Sequence, residues 1–247
     1  MRSFSRGFLA ERMWLGEYGR MGEGTIENRA WRAGAEALSD EIRAIVDAIA
    51  AREVALEDLA AATQLARALR RRLDGPRRAR WYDAGEHAMS LDAASREAYR
   101  DQSPIRGRLN PVAPPLKIEI AKRADGKPGV SGRARLGLAY EGPPHGVHGG
   151  WVAALFDDLL GAVQGVAEAT SLTARLTVRY RHVTPIEEDL RLEGWIHRDD
   201  ERRIVAKATC HAGDTLTAEA EGLFVRVDFN EIQGRMQQRR ETPSRGG

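Results

Sequence analysis

The chain has 247 residues, of which 42% are hydrophobic and 30% charged, with a formal net charge of +2. That length holds one ordinary domain with extensions, or two small ones, and the composition supports a buried core in a soluble chain. The near-neutral charge argues against nucleic acid as the main partner, and no apolar run nears the roughly 18 residues that span a bilayer.

The single cysteine, Cys210, excludes an intramolecular disulfide and a thiolate metal cluster, and it suits a reducing, cytoplasmic compartment. The opening "MRSFSRGFLAERMWLGEYGR" is broken by charge throughout and lacks the apolar core of a signal peptide. Residues 1–37 are rich in Arg, Gly and Glu without a sustained period, so they read as a poorly ordered segment, with Met13 and Met21 as later starts inside it.

Residues 38–75 are predicted to form a helical hairpin. Ile42, Ile45, Val46 and Ile49 share one helical face, and Leu59, Ala62, Ala66, Leu69 and Leu73 make a second stripe. Ser39 followed by Asp40 and Glu41 suits a helix start, and Arg70, Arg71 and Arg72 before Gly75-Pro76 suit a helix end. The arginine run from Arg67 to Arg80 fits either phosphate or nucleic-acid binding or, more ordinarily, a solvated helix end.

Residues 76–115 read as a linker and a proline-rich lead-in. With prolines at 104, 111, 114 and 115, "SPIRGRLNPVAPPL" cannot be regular structure and is expected to drape over the main domain. That domain is placed at 116–229, with a disordered tail at 230–247. Leu116, Ile118 and Ile120 start a strand that turns at Asp125–Gly129, and Leu136, Leu138 and Tyr140 are expected to mark the second strand.

An apolar helix follows. Next comes "SLTARLTVRYRH", which sets Leu172, Ala174, Leu176, Val178 and Tyr180 against Thr173, Arg175, Thr177, Arg179 and Arg181, a period of two with one buried and one polar face. "LRLEGWIHRD", "RIVAKATCHAG" and "TLTAEAEGLFVRV" add three strands. Two strands, a long helix and four strands in succession imply an α+β fold, an antiparallel sheet with one central helix on its face.

The segment "EGPPHGVHGGWVAALFDDLLG" carries the candidate chemistry. A helix start leaves backbone N–H groups without partners and bears partial positive charge. Glycines at that start, Gly149 and Gly150 after His148, put no side chain between those N–H groups and a ligand oxygen, which is what an oxyanion hole requires. Asp157 lies about two turns along the helix, and Asp158 is about 100° round from it, so one of the two faces the site and the other solvent or a structural partner. The register favours Asp157. Thr173, on the next strand, offers a hydroxyl toward the same region.

"HGG", the apolar helix with Asp nine positions after His148, and a strand with Thr173 and "VRYRHVTP" resemble a PaaI-like hotdog-fold acyl-CoA thioesterase of the thioesterase superfamily. The likeness covers residues 104–227. It implies a hotdog fold in which the sheet wraps around the long central helix, with the N-terminal helices as an extension. It also implies that Gly149 N–H polarises the thioester carbonyl, that Asp157 acts as general base or nucleophile, and that Thr173 positions the water or the acid. By the same resemblance the site forms across a homodimer interface, two dimers pack as a tetramer, and no metal or redox cofactor is needed. Thioesters have weak resonance stabilisation, so an oxyanion hole and an activated water suffice, each contributing about 10²–10⁴-fold.

The chain departs from the family at several positions. No Asn or Gln precedes the HGG, so polarisation rests on the helix N-terminus; Trp151 stands where a small residue is usual and trims an acyl tunnel or packs at the interface; and Val183 replaces a proline, next to His182. His148 reads as a residue orienting the loop rather than a base, and His145 as either lining the site mouth or simply solvated. Arg179 and Arg181 would hold coenzyme A phosphates or serve as ordinary surface charge. Cys210 is expected to be buried in packing, and Trp195 and His197 carry no reading of their own. Besides hydrolysis, a non-catalytic acyl-CoA-binding protein or a hotdog hydratase/dehydratase would fit the same fold.

Overall fold

The computed structural model describes residues 26–76, 100–114, 116–123, 125–166 and 171–227. The expected tail, the first 25 residues, and Arg77, Arg78 and Arg80 of the arginine run lie outside them. The described residues fall into two compact units, one within Met1–Ser103 and Gly107–Pro111, the other within Pro104–Arg106 and Val112–Gly247.

In the first unit, α1 runs Ile26–Ala51 and α2 Leu56–Arg72. The helix therefore begins well before Ser39, which is buried in its middle and caps nothing. The Ala-, Arg- and Glu-rich stretch before Ser39 has high helix propensity without an apolar stripe, so periodicity alone overlooks it. Polar contacts tie this part of α1 down. Arg32 forms a two-pronged pair with Asp101, at 2.5 and 2.8 Å, Arg108 pairs with Glu36, and Arg43 donates to the Arg108 carbonyl at 3.0 Å. The expected hairpin is not packed: α2 buries none of its residues.

In the second unit, β1 (Lys117–Lys122) and β2 (Pro128–Ala134) form a hairpin closed by Gly126 at φ 76° and by Lys127 N–H donating to Asp125 Oδ1. The second strand thus lies earlier than expected. Leu138–Tyr140 is a short 3-10 turn, η1, and Leu136 is a core anchor just after β2. Then come α3 (Gly149–Val166), β3 (Ser171–Tyr180), β4 (Leu190–Asp199), β5 (Arg203–Ala212) and β6 (Thr215–Arg226). The six strands form one antiparallel sheet in the order β1-β2-β4-β5-β6-β3.

Helix α3 lies on one face of this sheet. Leu155, Phe156, Leu159, Leu160 and Val163 are fully buried against Leu192, Ile204, Ala206, Cys210 and Phe224. Small residues on the strands let the helix approach closely. Gly194, Ala208 and Ala220 are successive cross-strand neighbours beneath it. A Cβ at Gly194 would stand 2.9 Å from Val163 Cγ2 and 3.0 Å from Val130 Cγ2. Gly194→Ala is therefore expected to overpack the core at about 1–3 kcal/mol, read as a lower urea midpoint with an unchanged slope.

Among the described strands β3 is an edge, hydrogen-bonded to β6 alone, and it is poorly covered on both faces: Tyr180, opposite the buried Ala218, is 53% exposed, and Leu172, opposite Val225, is 48% exposed. The strict alternation expected of it is also broken. Thr173 pairs with Phe224 and Arg175 with Leu223, so Ala174 is an extra residue, a β-bulge. Because Phe224 is buried beneath α3, the bulge turns Thr173 to the helix side, while Arg175, Thr177 and Arg179 stay on the outer face.

Candidate active site

The loop before α3 is held by its own backbone. His148 N–H donates to the Tyr140 carbonyl at 2.8 Å, Val147 N–H to the Thr184 carbonyl at 2.7 Å, and Gly142 N–H to the Gly146 carbonyl at 2.9 Å. A Cβ at Gly142 would lie 2.6 Å from His148 Cα, so only glycine lets the two limbs close. His145 takes φ 60°, is exposed, and donates its N–H to the Glu141 carboxylate at 2.7 Å.

This loop delivers His148 as the cap of α3. Its Nδ1 accepts the Gly150 N–H at 3.0 Å, and its carbonyl accepts the N–H groups of Trp151 and Val152. With the His148 N–H on the Tyr140 carbonyl, three of the four donors that a helix start leaves over, those of His148, Gly150 and Trp151, are satisfied. The fourth belongs to Gly149. Its carbonyl is fixed by the Tyr180 hydroxyl, which donates to it at 2.8 Å, and a Cβ here would meet the Tyr180 ring at 3.3 Å. Trp151 is half-buried and packs edge-on against Tyr140, with ring centroids 5.0 Å apart.

The two helix acids diverge. Asp157 is exposed, and its Oδ1 accepts the Thr173 hydroxyl at 3.2 Å, a contact that the bulge at Ala174 makes available. Asp158 points to the other flank of α3, where its Oδ2 lies 3.1 Å from Arg106 Nε, with side-chain exposures of 12% and 20%. Burial pushes the Asp158 carboxyl above its ordinary range, Arg106 pulls it back, and Asp157 adds to the rise. Arg106 comes from the proline-rich lead-in, whose Ala113 and Pro114 are also buried and whose Val112 carbonyl accepts the Tyr140 hydroxyl.

The structure thus brings His148, Gly149, Gly150 and Trp151 together at the helix start, with Asp157 and Thr173 as a second cluster along the helix. Arg179 joins neither. It lies on the outer sheet face, 3.6 Å from Glu219, in an open cavity of about 320 Å³ lined also by Thr177, Trp195, Lys207 and Glu221. Arg181 is likewise exposed and paired with Glu219, at 2.5 Å. Sequence reasoning missed two residues. In the sequence Tyr180 reads only as an apolar strand position, and Arg106 only as part of an irregular segment; neither local pattern signals a partner distant in sequence. Among the described residues, no group of three or more His, Cys, Asp or Glu side chains converges as a metal site, and no helix is long and apolar enough to cross a membrane.

An antiparallel sheet carrying a long helix that starts on a His-Gly-Gly cap is the hotdog fold of the thioesterase superfamily. The crystal structure of a thioesterase superfamily protein matches with a TM-score of 0.64 and 28% identity, over 77% of this chain and 94% of that one. Among curated proteins the chain is similar to human acyl-coenzyme A thioesterase THEM5, 24% identical over 97 residues, 38% of this chain and 39% of that protein. It is also similar to mouse acyl-coenzyme A thioesterase THEM4, 29% identical over 94 residues, 37% of this chain and 40% of that protein. The matches therefore span about two fifths of those relatives. No family model matches the chain.

Proposed function

We propose that this protein is an acyl-CoA thioesterase that hydrolyses an acyl-CoA thioester to the free acid and coenzyme A. The observation that carries this reading is the exposed Asp157 carboxylate, oriented by Thr173 and set on the same helix whose start leaves the Gly149 N–H as its remaining donor. Oδ1 is engaged by the Thr173 hydroxyl, so Oδ2 is the oxygen that takes a proton from water or attacks the carbonyl carbon. Gly149 N–H stabilises the oxyanion, aided by the positive end of α3.

Gly149 and Asp157 are eight residues apart on one helix, about 12 Å along its axis, too far to act on one carbonyl. The site is therefore completed by a second copy. The unpaired edge of β3, which carries Thr173 against Asp157 and Tyr180 against Gly149, supports a homodimer that joins the two sheets there, with two such dimers forming a tetramer. His145 and Trp151 border the acyl end of this site, and the reducing cytoplasm suits the lone buried Cys210.

The test is steady-state turnover of an acyl-CoA panel with detection of free thiol. Thiol release on at least one member is expected. Tight binding by calorimetry with no thiol release on any member would replace this reading with a non-catalytic acyl-CoA-binding protein. A change in enoyl absorbance without thiol would point to a hydratase or dehydratase.

A further inference from the structure

We infer that α2 is a self-association element that pairs antiparallel with α2 of a second copy of this chain. Its seventeen residues bury nothing, yet they carry a regular seam. Leu59, Ala62, Ala66 and Leu69, continued by Leu73 at the C-cap, recur at alternating spacings of three and four, the 3.5-residue period of a two-stranded coiled coil. Leu59, Leu65 and Leu73 stand 47%, 73% and 56% exposed.

Charge decides both occupant and direction. The first turn carries Glu57 and Asp58, and the last turn carries Arg70, Arg71 and Arg72. Two parallel copies would set arginines against arginines and acids against acids. An antiparallel two-fold pair sets each acidic turn against the other copy's basic turn and opposes the helix dipoles.

One register satisfies seam and charge together. Leu59 meets Leu69 of the second copy and Ala62 meets its Ala66, so large residues close the ends while alanines let the helices approach at the centre. The same register brings Asp58 to Arg72 of the second copy on one flank, and it brings Leu65 to its own symmetry mate at the two-fold axis. Leu65, 73% exposed in the single chain, thereby gains a partner.

The test is cross-linking of the full chain with a short bis-maleimide. Native Cys210 is fully buried and gives a low background. Leu65→Cys is expected to yield a covalent dimer. Leu59→Cys is not, because its two copies would stand about 15 Å apart along the axis. Adding Ala62→Glu and Ala66→Glu to Leu65→Cys should lower the yield by roughly tenfold or more, the factor that about 1.4 kcal/mol of lost pairing gives. Faster cross-linking of Leu59→Cys would mean parallel pairing and overturn the inference. So would no dimer from Leu65→Cys, or a yield indifferent to the glutamates. These readouts do not depend on turnover, so failure of the thioesterase reading leaves them standing.

Discussion

Asp157→Asn is expected to lower kcat on the best acyl-CoA substrate by about 10²–10⁴-fold, the range that a positioned general base supplies. The amide keeps the shape and can still accept the Thr173 hydroxyl, so the loss would report chemistry and not folding. Because Asp157 is exposed and bonded to a single side chain, the melting temperature should scarcely move, as for surface substitutions worth about 0.5 kcal/mol or less. Wild-type kcat in this variant would remove Asp157 from the mechanism. Gly149→Pro gives the complementary lesion, since proline is tolerated at the first helical position and has no N–H to donate. Mixed and reassembled with Asp157→Asn, it should regain activity, because one site in the mixed dimer would then hold both an intact donor and an intact acid. No regain would mean that donor and acid belong to the same copy.

The second large effect concerns stability. Asp158→Ala removes the carboxylate beside the mostly buried Arg106 guanidinium, and breaking such a pair costs about 3–5 kcal/mol. Arg106→Met with Asp158→Leu removes both charges and should be less destabilising than Asp158→Ala, because a buried pair recovers little more than its desolvation cost. Chemical denaturation of the three variants decides this, and a double variant as unstable as Asp158→Ala would refute it.

The pH dependence follows from the direction of the shift. A carboxyl whose folded pKa is raised binds its proton more tightly in the folded state. Its contribution to stability is complete below the ordinary value of 3.8 and is lost as pH rises through the raised value. Asp158→Asn should flatten the stability profile over that window.

Much of the sheet was legible because burial imposes a period of two on β4, β5 and β6, whose limits match the apolar alternation. The helix start was legible for a different reason: few contexts tolerate His-Gly-Gly ahead of an apolar run. β2 was misplaced because its segment, "PGVSGRA", is built of glycines and small residues chosen for closeness to α3, while the apolar Leu136 and Leu138 just beyond it imitate a strand. The first half of α1 leaves no apolar period in the sequence because ion pairs with Asp101 and Arg108 hold it. Arg106 stayed hidden for a related reason. Pairing across some fifty residues of chain leaves no periodic trace.

The bulge at Ala174 bears on how this chain is aligned with others. Because residue 174 is supernumerary in the ladder, a version of the strand without it would still direct the threonine at the helix acid. A single-residue deletion there is thus neutral for the site, while an ungapped comparison scores the hydroxyl as lost. Counting inward from the β6 ladder places the threonine correctly, and counting outward from the strand's arginines misses it by one.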